Sequence, residues 1–381
     1  MARSPTPAPA ARLAWPAVLA LRVARQGLAE RAPRADALGV LARICGLHAQ
    51  VMSSAELTLW ARTDGLEPAD VPRWLWEERR LVKTWAQRGT LHLLPAAELG
   101  LWTAAQTRLK PRHHVPAWLR AHGLSRAQAD AMLAAIPAAL DGRTLTREAL
   151  AREVAAITGI DALADKLRGG FGDLLKPAAF AGDLCFAPSE GRSVRFARPD
   201  QWLGTAPAVD PAEAEREVAR RYLAAYGPGT REAYARWFGI TSPAQAERRL
   251  RALGDEVVPV ELDGETAWLL AADLDAVRAA EGDGGVRLLP AFDQYVVAAP
   301  RAAGAVLAPE LRDRVYRPQG WLSPVILAGG RMLGTWRHEA AGDRVRVTLE
   351  PFAALPAAVR RGAAAEAERL AAHLGSELEL A

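Results

Sequence analysis

Cysteine and lysine are scarce in this chain, and each scarcity excludes something. Cysteine occurs only at Cys45 and Cys185, with no CxxC pair and no cluster at metal-ligand spacing. A disulfide framework, an iron–sulfur centre and a zinc site are therefore not expected, and no metal or other cofactor is called for. Lysine stands only at Lys83, Lys110, Lys166 and Lys176, so nearly all positive charge is arginine. Arginine suits bidentate contacts to phosphates and base edges. A chain rich in Ala, Arg, Gly and Pro is equally the product of a GC-rich coding sequence, and that plainer cause carries more weight. Long apolar runs are missing too. Val18 to Leu21 is too short for the core of a signal peptide, and no stretch could span a bilayer. No membrane association is expected, and the cytoplasm is the default address. Phosphate-loop, dinucleotide-binding, GxSxG and HExxH motifs are absent, and Gly169-Gly170-Phe171-Gly172 lacks phosphate-loop spacing.

What is present suffices for several packed units. At 381 residues, with 50% hydrophobic, two to four domains are expected. The net charge of +4 is compatible with a phosphate-binding face without proving one. Met1 to Arg12, rich in Pro and Ala, reads as a disordered tail.

A helix-start pattern recurs along the chain. Thr146-Arg147-Glu148-Ala149-Leu150-Ala151-Arg152 and Thr230-Arg231-Glu232-Ala233-Tyr234-Ala235-Arg236 differ at one position of seven, and a looser copy begins at Ser54-Ala55-Glu56. In each, a hydroxyl residue can cap the helix, and a glutamate two residues on sits near the positive end of the helix dipole. Each copy is followed by strand–turn–strand: Leu81 to Trp85 with Thr90 to Leu94, Leu184 to Ala187 with Ser193 to Ala197, and Val257 to Leu262 with Thr266 to Leu270. Arg88-Gly89, Glu190-Gly191-Arg192 and Asp263-Gly264 supply the turns. Helices followed by a β-ribbon make a winged helix, a variant of the helix-turn-helix DNA reader. Three in one chain suggest a protein that lies along or around a duplex.

The predicted fold is α+β, with three tandem winged-helix domains over 13–114, 115–208 and 209–284 and a small C-terminal β-barrel with a terminal helix over 285–381. Helices are predicted near 16–29, 34–46, 54–63 and 68–80, then 125–140, 146–157 and 161–180, then 212–226, 230–238 and 243–253. In the last unit short strands are predicted at Val286 to Leu289, Tyr295 to Val297, Ser323 to Leu327, Met332 to Trp336 and Val345 to Leu349, with a hairpin turn at Gly329-Gly330 and a helix over 356–374. Pro111 to Pro116, containing His113-His114, reads as a connection.

Few residues offer chemistry. His48 and Gln50 interrupt the apolar passage Gly46-Leu47-His48-Ala49-Gln50-Val51. In an extended backbone residues i and i+2 point the same way, so both could meet one ligand. A histidine stacked at a helix end with a capping glutamine nearby explains them as well. Arg88-Gly89-Thr90 makes a tight turn that also offers a positive tip and a hydroxyl to phosphates. Asp293, in Pro290-Ala291-Phe292-Asp293-Gln294-Tyr295, reads as a turn former rather than an acid. Tyr316 to Trp321 reads as an exposed hairpin tip with an aromatic for stacking, or simply a loop.

Gly46-Leu47-His48-Ala49-Gln50 with Leu59-Trp60-Ala61-Arg62, Trp85 to His92, Leu288 to Tyr295 and Leu333-Gly334-Thr335-Trp336-Arg337 together carry a resemblance. In these stretches the chain resembles the AlkZ/YcaQ family of bacterial winged-helix DNA glycosylases. The resemblance implies three tandem winged helices and a β-barrel around a DNA channel, and excision of alkylated purines, including N7-alkylguanine and bulky or interstrand-crosslinked adducts. The family's catalytic motif, Gln-x-Gln or Gln-x-Asp, falls on His48 and Gln50, with His replacing the first Gln. Such variants look like a distinct branch, some of whose members protect producers of DNA-damaging compounds. Physics fits the implied reaction: an N7-alkylated guanine is cationic, so its glycosidic bond is already weakened and the enzyme must chiefly hold a water and stabilise an oxocarbenium-like sugar. A neutral imidazole at His48 could orient or deprotonate that water. The nearest lysine in sequence is Lys83, so a Schiff base is not expected and the enzyme should be monofunctional. The expected partner is double-stranded DNA containing alkylated purines, met by a monomer on the nucleoid. Arg62, Arg88 and Thr90 are expected to touch DNA near the site, and Gln319 or Trp321 to reach the minor groove. The alternatives are a non-catalytic winged-helix transcriptional regulator and a partner-binding use of the same fold.

Overall fold

A computed structural model describes residues 8–109, 112–169, 172–204, 208–282 and 284–381. The first seven residues of the N-terminal tail, Pro111 of the connection and Gly170-Phe171 lie outside the described residues. The chain divides into two compact units, Met1–Asp70 with Ala219–Ala381, and Val71–Val218.

In the 71–218 unit the first ribbon pairs Leu81–Trp85 with Leu91–Pro95, Trp85 facing Leu91 across it. Its turn places both Arg88 (φ 59°) and Gly89 (φ 72°) in the left-handed region. Helix Arg126–Ala139 opens on a capping box between Ser125 and Gln128. The recurring start performs as its chemistry predicts at Thr146, whose hydroxyl accepts the Ala149 N–H at 3.2 Å to begin helix Arg147–Thr158. Just before that cap, Leu145 pairs with Phe196 on the second ribbon, Cys185–Glu190 with Ser193–Ala197. Met132, Ile136, Leu150, Val154, Leu163, Leu175 and Phe196 form the core of this unit, and Trp85 joins it.

Two predicted helices come out differently here. The run expected over 161–180 is two helices, Ala162–Arg168 and Lys176–Ala181. Gly172 lies between them at φ +83°, and a Cβ there would stand 2.6 Å from Cζ2 of Trp85. The chain must leave the helix so that its backbone can pass the indole. Within 68–80 only a short turn, Asp70–Pro72, precedes a π-helical turn, Arg73–Glu77, in which the Glu78 N–H donates to Arg73 O at 2.9 Å.

In the other unit the third ribbon pairs Val257–Leu262 with Glu265–Leu270 through Asp263 and Gly264, both at positive φ (51° and 77°), as a two-residue type I′ turn requires. Arg12–Leu13 adds a parallel edge to it. Gly229 bridges to Trp268, and the next residue, Thr230, caps helix Arg231–Phe238 by accepting the Ala233 N–H at 3.2 Å. The Thr146 and Thr230 repeats therefore share one local plan: a short pairing, a threonine cap, a helix, then a ribbon. The looser copy departs from it. Its helix begins earlier, as Met52–Trp60, with Val51 as an N-cap that makes no side-chain bond, and Ser54 lies inside the helix, its carbonyl accepting the Thr58 hydroxyl.

Among the described residues the C-terminal sheet has five strands, in the order Val286–Leu289, Val325–Ala328, Arg331–Ala341, Arg344–Pro351 and Glu377–Leu380. The first four run antiparallel and the last is parallel to its neighbour. Glu377–Leu380 was not anticipated. The strand predicted over 295–297 is instead helix Gln294–Ala298. Its apolar β-formers are overridden by an aspartate cap: the Asp293 carboxylate accepts the Tyr295 N–H at 2.8 Å. Helix Ala357–Leu374 lies so close to the first strand that a Cβ on Gly362 would meet Val286 at 2.6 Å.

Candidate active site

The His48 segment is shaped by how the helix before it ends. Helix Ala37–Arg43 terminates in two successive left-handed residues, Cys45 (φ 63°) and Gly46 (φ 90°), and the Gly46 N–H closes back to Leu41 O at 2.9 Å. The chain emerges extended at Leu47–His48. Two side chains from elsewhere in the same unit tie it down. The Tyr226 hydroxyl donates to Ile44 O at 2.6 Å, and the Gln294 amide donates to Gly46 O at 2.7 Å. Leu47 and Ala49 are fully buried, His48 is 6% exposed, and Gln50 is exposed. Residues 47 to 49 are thus buried in succession, and exposure begins at Gln50.

The imidazole of His48 does not stand alone. The ring of Phe292 stacks on it, with centroids 4.7 Å apart and planes 13° from parallel. The Trp321 indole meets Phe292 edge-on at 4.9 Å and 76°, and is itself 48% exposed. A run of three rings thus leads from a nearly buried histidine to solvent. Phe292 adopts φ 59°, a conformation that costs a bulky L-residue about 1–2 kcal/mol. The residues after it hold it there. Asp293 pairs with Arg62 through both oxygens, at 2.7 and 2.8 Å, and neither side chain has any exposure. Tyr295 donates its hydroxyl to Gly330 O at 2.7 Å, and burial pushes that phenol well above its ordinary range, so it stays a neutral donor.

Arg62, expected to touch DNA, is wholly buried. Its guanidinium is sealed between Asp293 and Thr58 O, to which Nη1 donates at 2.8 Å, and no phosphate could reach it without unpairing Asp293. Asp293, read as a turn former, both caps the following helix and neutralises Arg62. Arg88 and Thr90 lie in the turn of the first ribbon, both half-buried, with the Thr90 hydroxyl donating to Gln87 O at 3.2 Å. Gln319 and Trp321 sit in an exposed loop closed by the Arg317 N–H donating to Trp321 O at 2.8 Å, with Gln319 at φ 60°. Phe292 and Gln294, which touch the His48 segment directly, lie in the Leu288 to Tyr295 stretch that carries the resemblance, yet neither offers a role at the site from sequence alone.

One metal-capable group forms that sequence spacing did not reveal. The ligand atoms of His113, His114 and Asp130 all lie within 4.8 Å of one another. Asp130 also faces the Arg126 guanidinium at 3.7 Å, a cation that competes for the same carboxylate. Among the described residues no helix is long and apolar enough to cross a membrane.

Three comparisons bear on what this arrangement belongs to. The family described as "DNA glycosylase AlkZ-like" matches residues 41–373. An interstrand DNA cross-link repair glycosylase of Streptomyces sahachiroi is 36% identical over 333 residues, 85% of this chain and 88% of the relative. The solved structure of the Streptomyces sahachiroi DNA glycosylase AlkZ superposes with a TM-score of 0.86 at 35% identity, covering 97% of this chain and 99% of that one. These matches define an enzyme class, the DNA glycosylases, which cut a base from its deoxyribose. Within it, the chain belongs to the AlkZ-like DNA glycosylase family. A non-catalytic regulator is not favoured by membership of a family of enzymes.

Proposed function

We propose that this protein excises alkylated purines from duplex DNA, N7-alkylguanine foremost, by direct hydrolysis at a site built on His48 and Gln50. The observation that carries the reading is the His48 segment itself: a short extended stretch, tied at Ile44 and Gly46, in which His48 is nearly buried against Phe292 and Gln50 is exposed. Water attacks C1′ of the damaged nucleotide, the bond to N9 breaks, and its electron pair neutralises the cationic purine as it leaves. The water's proton passes to the His48 imidazole, while the Gln50 carboxamide holds the water and faces the positive charge developing on the sugar. No lysine is needed. Lys83 holds its ammonium 5.5 Å from the Phe186 ring centroid, an engagement that supports a monofunctional enzyme.

Bulky and interstrand-crosslinked adducts belong to the proposed substrate range, in keeping with the crosslink-repair relative. The helix–ribbon repeats support three winged-helix modules over 13–114, 115–208 and 209–284, with a barrel-like module over 285–381. In this reading Arg88, Thr90, Gln319 and Trp321 contact DNA, and the protein acts as a monomer on the nucleoid.

The test is release of free base from a duplex carrying one N7-methylguanine. His48→Ala and Gln50→Ala should each slow release by about 100-fold or more. Wild-type rates in both variants would remove the site from His48 and Gln50.

A further inference from the structure

The proposed chemistry names two side chains, yet two of the contacts at the His48 segment come from a strand-to-helix corner 244 positions and more away in the chain. Phe292 lies flat on the imidazole, and Gln294 holds Gly46 O two residues before it. Asp293 stands between them, locked to Arg62 and to the Tyr295 N–H. We infer that Phe292, Asp293 and Gln294 are positioning residues that set the plane of the His48 ring, an inference that rests on reading His48 as catalytic.

A histidine on a short extended segment has two side-chain torsions, and the second is broad and weakly defined on its own. Anchoring the backbone at Ile44 and Gly46 fixes the Cα position and does not by itself set the plane of the ring. A flat partner constrains that plane. Phe292 supplies it at 4.7 Å and 13°, against a face of the imidazole, so that the in-plane directions along which ring nitrogens bond are not covered by Phe292 itself. An aliphatic side chain would fill the same space without defining a plane.

The backbone geometry supports the same reading. Phe292 is at φ 59°, a region where a bulky residue is rare, and it stays there only because its neighbours over-determine it. Each of the next three residues makes a specific buried contact: Asp293 to Arg62, Gln294 to Gly46 O and Tyr295 to Gly330 O. A corner serving packing alone could place glycine or asparagine at the strained position. The phenylalanine is explained by what its ring touches.

The experiment is single-turnover release of base from an N7-methylguanine duplex by the full chain, with duplex affinity and thermal unfolding measured on the same samples. Phe292→Leu should slow release at saturating enzyme by about 10-fold or more, whatever change in duplex affinity follows from its contact with Trp321, because the aim of the His48 ring is lost. Phe292→Tyr, which keeps the flat face, should recover most of the rate. Gln294→Ala, which loses only the tie to Gly46, should also slow release without moving affinity. A wild-type rate in Phe292→Leu, or a Phe292→Tyr enzyme as slow as Phe292→Leu, overturns the inference. His48→Ala separates the two levels. If it releases base at the wild-type rate, the reading of His48 itself fails. If it is inactive while Phe292→Leu and Gln294→Ala are unimpaired, that reading stands and the positioning role is lost.

Discussion

At the scale of single residues the buried ion pair dominates. Arg62 and Asp293 are both wholly removed from water, so the cost of desolvating each is met only by the other and by Thr58 O and the Tyr295 N–H. Removing one partner strands the other. Arg62→Ala should therefore destabilise the protein by about 3–5 kcal/mol, read from urea unfolding. The double replacement Arg62→Met with Asp293→Leu should cost less than either single change, since it leaves no orphaned charge. A double variant as unstable as the sum of the singles would show that the pair contributes more than mutual neutralisation. Arg62 also shows where sequence reading stops. An arginine near a helix end in a DNA enzyme looks like a phosphate contact, and nothing within several residues reports that an aspartate 231 positions away closes over it.

At the scale of elements, most local signals were legible, the Ser54 cap excepted. The Thr146 and Thr230 caps and the Asp263-Gly264 turn follow from neighbouring residues. Thr146→Ala and Thr230→Ala should each lose about 1 kcal/mol, while Ser54→Ala should lose nothing through capping, because its helix already began at Met52. Differential scanning calorimetry of the three variants would check this, and equal losses from Thr146→Ala and Ser54→Ala through a shared capping role would contradict it. The elements that came out differently did so because something distant intervened. Gly172 breaks an otherwise helical stretch to let the chain pass Trp85. Gly172→Ala meets both that indole and an unfavourable φ of +83°, so it should lower stability by more than about 1 kcal/mol, unlike an ordinary glycine-to-alanine change in a helix. The β-forming run after Asp293 became a helix because the aspartate caps it, and the aspartate is held in place by Arg62.

At the scale of the whole molecule, pH acts through half-buried histidines. Burial, then His114, pushes His113 below its ordinary value, and burial pushes His373 below its own although its bond to Leu66 O opposes the shift. A depressed folded-state pKa means the unfolded chain binds the proton more readily. The stability these groups contribute is present above the unfolded value of about 6.5 and is lost as pH falls through the lower folded value. The melting temperature should therefore drop between pH 7 and pH 5, and His373→Gln should flatten part of that drop. A slope unchanged in the variant would exclude His373 as a source. The sequence by itself determined the Thr146 and Thr230 caps with their helices and the three ribbons, because those signals lie within a few residues. Only the tertiary structure decided that Arg62 is wholly buried, that Phe292 lies on His48 and that Gln294 ties Gly46 in place. Such contacts depend on where the chain returns after hundreds of residues, and no local periodicity encodes that return.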